Sequence, residues 1–161
     1  MPTLELETTL SAPLAKVWAF YEDIPGSLAA ISPPADEVTI ESVDLPAREG
    51  TRLVITAKVP VRGRVKWIAK IVEHRPPHAV VFGEEARFVD VQEEGPFKSW
   101  RHEHEFEAID AKHTRVIDRI TYAVGLGPLG RVADVLIVRR KLRTMFRYRH
   151  ERLHRLLDAA A

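Results

Sequence analysis

Between Ser99 and Ala108 the chain alternates without a break. Trp100, His102, His104 and Phe106 fall on one parity; Ser99, Arg101, Glu103 and Glu105 fall on the other. Side chains two apart share a face of a strand, so the pattern predicts one charged side and one side where two imidazoles sit between aromatic rings. The segment 115–123 repeats the period, with Val116, Asp118, Ile120 and Tyr122 set against Ile117, Arg119 and Thr121. Near the N-terminus, Leu4, Leu6, Thr8 and Leu10 alternate with Glu5, Glu7 and Thr9 and predict a first strand with an acidic, wet face. Further strands are predicted over 38–43, 52–59 (Leu53, Ile55, Ala57 and Val59 inward), 64–73 (Trp67, Ala69 and Ile71 opposite Lys66 and Lys70), 78–83 and 87–92. Short connections rich in Gly and Pro join them into an antiparallel meander.

Two short helices are expected after the first strand. Ser11 is read as the cap of the first, with Pro13 in its first turn and Val17, Trp18, Phe20 and Tyr21 on its buried side. Ile24-Pro25-Gly26-Ser27 is expected to break it, and a second helix to run over 27–31 until Ser32-Pro33-Pro34. Beyond the Gly- and Pro-rich loop 125–130, residues 131 to about 159 contain neither residue. Val132, Val135, Val138, Leu142, Met145 or Phe146, Leu153 and Leu156 make a helical stripe there. A helix of that length would run roughly 40 Å.

A chain of 161 residues with 45% hydrophobic content suits a single domain over 1–161 with a sizeable core. The absence of cysteine excludes disulfides, thiolate nucleophiles and cysteine metal sites, and fits a reducing cytosol. No signal peptide is expected from MPTLELETTL, and no apolar run approaches the roughly 18–20 residues that span a bilayer. The expectation is a soluble cytoplasmic protein.

His102, His104, Asp118 and Tyr122 on apolar faces need partners, because buried polar groups cost free energy unless paired. Either they form a satisfied internal network or they line a pocket that handles a ligand. Asp118 on the neighbouring strand would orient one imidazole and raise its basicity, and Tyr122 would supply a hydroxyl. Such a His–carboxylate pair suits proton abstraction, although strand register is not readable from sequence. His-x-His with Asp118 or Asp90 also has ligand types suited to zinc or iron. With no third histidine in a clear motif, no metal is expected; nor is a cofactor, since no nucleotide fingerprint or nucleophile motif is present. Asp90 and Gln92 share a parity with Phe88, Val89 and Val91 take the other, and which side faces inward stays open.

The C-terminal segment is basic, with nine cations against Asp134 and Glu151 between Arg131 and Arg155. Such a face suits a membrane surface or nucleic acid. The stronger reading is that it suits the negative end of a helix dipole and the acidic strand faces of Glu5, Glu7, Glu103 and Glu105. No nucleic-acid motif accompanies it, so no nucleic acid is expected, and peripheral membrane contact is kept as a lesser reading. Arg149 falls on the apolar stripe, where it either meets Asp118, Asp90 or an acidic ligand, or sends its head outward. Trp18, Trp67 and Trp100 are core residues or pocket walls.

The element order resembles the helix-grip fold of the START, birch-pollen-allergen and polyketide-cyclase superfamily. The specific part is Phe88-x-Asp90-x-Gln92-x-x-Gly95-Pro96-Phe97-x-x-Trp100-x-His102-x-His104-x-Phe106, followed by Asp118-x-x-x-Tyr122. This is similar to a bacterial cyclase/dehydrase-like, ligand-binding branch. The resemblance implies an α+β fold in which a curved antiparallel sheet of about seven strands wraps a long C-terminal helix, with two short helices after the first strand and a cavity between sheet and helix. It pairs Asp90 and Gln92 with the histidines, which favours the Phe88 side as inward. Loop 125–130 would then gate the cavity or merely connect. The expected ligand is a small hydrophobic or amphipathic molecule. Trp67, Trp100, Phe106, Ile120, Leu142, Met145 and Phe146 would form its apolar walls, and His102, His104, Asp118 and Tyr122 would fix its polar end, joined by Asp90, Gln92 and Arg149. The alternatives are a cofactor-free cyclase or dehydratase using His102 or His104 as base, and a membrane-peripheral lipid or quinone carrier. Fold alone does not choose among them, and the oligomeric state is not readable.

Overall fold

The computed structural model describes residues 1–59, 62–78, 83, 85–125, 127, 132 and 137–158. Seven strands form one antiparallel sheet: β1 (Thr3–Leu10), β2 (Thr39–Val43), β3 (Arg52–Val59), β4 (Gly63–Arg75), β5 (Glu85–Glu94), β6 (Ser99–Ala108) and β7 (Thr114–Ala123). Their order across the sheet is β1-β7-β6-β5-β4-β3-β2. Register breaks between Ile40 and Ser42, Ile68 and Ala69, and Ile71 and Glu73 mark β-bulges. Bulges bend and twist a strand, which helps the sheet curve. Helices α1 (Leu14–Glu22) and α2 (Ile24–Ile31) follow β1, and α3 (Arg139–Leu157) follows β7. This is the expected helix-grip α+β architecture. The strand expected over 78–83 and the first turns of the long helix, 131–136, lie almost wholly outside the described residues. Among the described residues, no helix is long and apolar enough to cross a membrane.

The helix starts differ from expectation. Pro13, not Ser11, occupies the N-cap position of α1. The Ser11 backbone N–H instead donates to Asp158 Oδ1 at 2.8 Å, tying the end of β1 to the end of α3. The Ile24-Pro25-Gly26-Ser27 segment begins α2 rather than merely ending α1. Asp23 caps it by accepting from the Gly26 N–H, and proline is tolerated in a first turn because its missing N–H would be unpaired there anyway. A Cβ on Gly26 would overlap that Asp23 carboxylate, so the cap and the glycine belong together.

Two apolar cores lie against the sheet. One joins Leu10, Val17, Trp18, Phe106, Val116, Leu153 and Leu157 with their neighbours from α1. The other joins Leu4, Trp100, Ile120, Tyr122, Leu142 and Phe146. The inward face of β6 therefore reads core, polar, polar, core: Trp100, His102, His104, Phe106. Asp118 stands between Ile120 and Val116 on β7, and the buried His150 stands between Phe146 and Leu153 on α3. A polar belt thus crosses sheet and helix at one level, with an apolar core on either side. The last apolar position of α3 is Leu157, 5% exposed, whereas the expected Leu156 is 40% exposed.

On the outer face, Glu103 and Glu105 pair with Arg87 and Arg119, and Glu5 pairs with Arg119. Among the described residues these carboxylates meet arginines of their own sheet, not the cations of the C-terminal helix suggested by sequence. Arg139, Arg140, Arg143 and Arg147 remain exposed.

Candidate functional site

Strand register builds the polar belt. Asp90 of β5 stands opposite His102 of β6, and His104 stands opposite Asp118 of β7. The hydrogen bonds run along the diagonals. His102 Nε2 reaches Asp118 Oδ1 at 2.8 Å, and His104 Nε2 reaches Asp90 Oδ2 at 3.0 Å. The direct pairs are longer, with His102 Nδ1 3.7 Å from Asp90 Oδ2 and His104 Nδ1 3.4 Å from Asp118 Oδ1. Diagonal neighbours on a sheet are within reach of long side chains, so acids and imidazoles occupy alternate corners of a square. From α3, His150 Nε2 donates to Asp118 Oδ2 at 2.7 Å. The two oxygens of Asp118 therefore bind one imidazole from the sheet and one from the helix.

The electrostatics follow from burial and pairing. Burial opposes ionisation of Asp118, but hydrogen bonds from His102 and His150 outweigh it and hold the carboxyl below its ordinary range. Asp90 likewise lies low: burial raises it, and the His104 hydrogen bond with the charges of His102 and His104 more than offsets this. Burial pushes His104 down to about 4, assisted by the neighbouring His102 and opposed by Asp90. Tyr21 is raised well above its usual value by burial and by Asp118, so its hydroxyl keeps its proton.

A cavity of about 500 Å³ opens beside this belt, between the inner faces of β3, β4 and β5, helix α2 and the first half of α3. That volume lies within the range of small-molecule sites. Leu53, Ile55, Trp67, Phe97, Trp100 and Met145 supply apolar wall. Asp90, His102, His104 and Arg149 bring charge or hydrogen-bonding capacity to it. Ring contacts tighten both ends. Phe88 stacks on His104 at 3.9 Å between centroids, and Trp67 meets Trp100 edge-on at 5.0 Å. The guanidinium carbon of Arg149 lies 5.1 Å from the Phe146 ring centroid, a cation–π contact. Arg149 Nε is buried without a hydrogen-bond partner among the described residues.

Of the residues singled out in the sequence, Trp67, Asp90, Trp100, His102, His104, Leu142, Met145 and Arg149 border the cavity. Asp118 stands behind the histidines as their partner. Phe106, Ile120, Tyr122 and Phe146 are buried in the two cores and are not among the lining residues. Gln92 is not on the wall either. Its side-chain N–H donates to the Phe97 carbonyl at 2.8 Å, and its Oε1 accepts from the Phe97 N–H at 3.3 Å, so it clamps the β5–β6 turn. Phe88 and Asp90 both face the cavity, which resolves the face of β5. Two residues of the site escaped the sequence reading: Tyr21, whose ring lies 6.0 Å from His104, and His150. The signal for His150 was the gap in the helical stripe between Phe146 and Leu153.

Comparison with known proteins places this arrangement in a family. No curated protein matches the chain. Among solved structures, the crystal structure of TTHA0849 from Thermus thermophilus is 21% identical, covering 94% of this chain and 97% of that one, with a TM-score of 0.62. Norcoclaurine synthase from Thalictrum flavum, in complex with dopamine and hydroxybenzaldehyde, is 15% identical over 98% of this chain and 89% of that one, with a TM-score of 0.63. A START superfamily protein from Mycobacterium smegmatis is 11% identical over 96% and 98%, with a TM-score of 0.66. At these identities the likeness establishes the fold. Residues 1–158 match the family described as polyketide cyclase / dehydrase and lipid transport, and the chain therefore belongs to that family, with a helix-grip fold.

Proposed function

We propose that the protein binds a small amphipathic molecule in this cavity. The apolar body would lie against Leu53, Ile55, Trp67, Phe97, Trp100 and Met145, and the polar end would meet Asp90, His102, His104 and Arg149. The observation that carries the reading is the cavity itself: about 500 Å³ of largely apolar wall with charged side chains gathered at one side. Arg149, buried at the guanidinium Nε with no hydrogen-bond partner among the described residues, favours a ligand with an acidic or carbonyl oxygen. Aromatic ketones, phenols and aromatic acids are the first compounds to test. Norcoclaurine synthase, which shares the fold, was solved with two aromatic molecules of this general kind.

Trp67 and Trp100 line the cavity and Trp18 does not, so tryptophan fluorescence reads binding directly. A compound of the right class should give a saturable change that Arg149→Met weakens about tenfold, the loss of one charge-assisted hydrogen bond. If no compound across aromatic acids, quinones and fatty acids gives a saturable change in the folded protein, the binding reading fails.

A second reading is favoured by the hydrogen-bonded series His102–Asp118–His150. Asp118 accepts from His102 Nε2, which leaves Nδ1, 3.7 Å from Asp90 Oδ2, as a base for a cofactor-free proton transfer. Under this reading His102→Ala abolishes turnover while the ligand still binds. Under binding alone, the same variant weakens affinity and no turnover is found in the wild type.

A further inference from the structure

We propose that Asp90, His102 and His104 form a binding site for a divalent transition ion of the iron–zinc series at the polar end of the cavity. The sequence offered Asp90 or Asp118 as a carboxylate beside His102 and His104, but with no third histidine in a clear motif it pointed to no metal and did not say which residue would supply a third ligand. The fold brings that ligand from β5.

The donor set comes first. Two imidazoles and one carboxylate suit zinc, cobalt or ferrous iron; the set lacks the many oxygens that calcium or magnesium prefers and the thiolates that cuprous ions prefer. The spacing agrees. One ligand atom from each residue lies within 4.8 Å of the other two. Asp90 Oδ2 is 3.0 Å from His104 Nε2 and 3.7 Å from His102 Nδ1. Donors sharing one ion at ordinary bond lengths stand about 3.0–3.5 Å apart, so small side-chain adjustments complete the site.

The outer partners agree as well. Histidines that bind a metal direct their second ring nitrogen to a carboxylate, which fixes the tautomer. Asp118 stands in that position for His102, hydrogen-bonded to its Nε2 at 2.8 Å, and lies 3.4 Å from His104 Nδ1, which is buried without a hydrogen-bond partner among the described residues. His150 holds Asp118 from the far side. A neutral imidazole has one N–H and one lone pair. In the metal-free protein His104 Nε2 donates to Asp90; shifting that proton to the unpartnered Nδ1 beside Asp118 turns the lone pairs of His102 Nδ1 and His104 Nε2 toward the Asp90 carboxylate oxygen. A cation there satisfies all three. An imidazolium at His102 would satisfy some of the same contacts, and the experiment separates the two. All three ligands border the cavity, so the ion would keep coordination positions open toward a bound molecule. The site does not depend on that molecule being present.

The test is titration of the full chain, stripped with chelator, with Co²⁺ followed by visible absorption and with Zn²⁺ followed by calorimetry, at pH 7.5. The expected result is one ion per chain at micromolar affinity or better. Asp90→Asn and His104→Asn should each weaken it at least about 100-fold, and Asp118→Asn, which keeps every ligand atom, about 10–100-fold. His154→Ala, in the outer groove with Glu7 and Glu151, should leave it unchanged. Paramagnetic shifts of the His102 and His104 ring protons by Co²⁺ in the wild type need no variant and guard against misfolding. Absence of stoichiometric binding by the folded wild type overturns the proposal and leaves the network held by protons. Binding that survives Asp90→Asn and His104→Asn, or is lost in His154→Ala, overturns it by placing the ion elsewhere. Fluorescence titrations with organic ligands, run without metal, report separately on the proposed binding function.

Discussion

Asp118 is the residue on which three elements meet. Its carboxylate accepts from His102 of β6 and His150 of α3 while standing on β7. Removing one partner of a buried charged network leaves the others uncompensated, so Asp118→Ala should lower stability by about 3–5 kcal/mol. Urea unfolding measures this, and a loss under about 1 kcal/mol would mean that the network carries little stability. Titration of the network has a definite sign. His104 falls to about 4 in the folded protein from an ordinary 6.5. Around it stand Asp90, His102 and Asp118 of the sheet, Arg149 and His150 of α3, and Tyr21 of α1. Between those two values the unfolded chain holds the extra proton, so stability declines as pH falls from 6.5 toward 4. Asp90 and Asp118, also depressed, act in the same direction: their contribution is present above the ordinary carboxylate range and is lost in stronger acid. Metal-free wild type should lose on the order of 3 kcal/mol over the histidine window. His104→Gln should flatten that slope, and a wild-type stability constant from pH 7 to 4 would contradict the assignment. The period-two pattern made His102, His104 and Asp118 legible as one face. It did not reveal that His102 bonds diagonally to Asp118, because a one-residue change of register would have chosen other partners.

At the scale of elements, the β5–β6 hairpin sets one wall of the cavity. Gln92 looked like a ligand contact because it shares a parity with Asp90. It instead spends both ends of its carboxamide on Phe97, and a Cβ at position 95 would collide with that carboxamide. Gln92→Ala removes two hydrogen bonds and should cost about 1–2 kcal/mol. By freeing Phe97 it should also weaken ligand affinity several-fold, and paired unfolding and fluorescence titrations would check both. A variant with unchanged affinity would remove Phe97 from the binding account. The third helix was legible from its lack of Gly and Pro and from its apolar period. Its polar position was not: among so many basic residues, His150 carried no mark beyond the interrupted stripe. Only the packing of α3 across the sheet brings His150 to the level of Asp118. Leu157 closes the stripe in place of Leu156 because three turns beyond Phe146, about 10.8 residues, end nearest position 157.

At the scale of the molecule, the antiparallel meander, the two early helices and the C-terminal helix were readable from alternation, turn residues and resemblance. Which stretch of each inward face is sealed and which is open was not. Phe106 shares its strand face with the histidines and Ile120 shares its own with Asp118, yet both lie in sealed cores, since α1 and the two halves of α3 cover them. Toward β3 and β4 the same sheet is left uncovered far enough to form the cavity. The central claim is that this space holds a small molecule. Its most direct test is native mass spectrometry of the protein isolated from its own host, compared with Ala69→Trp, which fills the wall with an indole. The expected result is an adduct of a few hundred daltons, one per chain, in the wild type and its loss in the folded variant. An adduct that persists undiminished in the variant, or a wild type that stays bare even after exposure to aromatic acids and quinones, would contradict it.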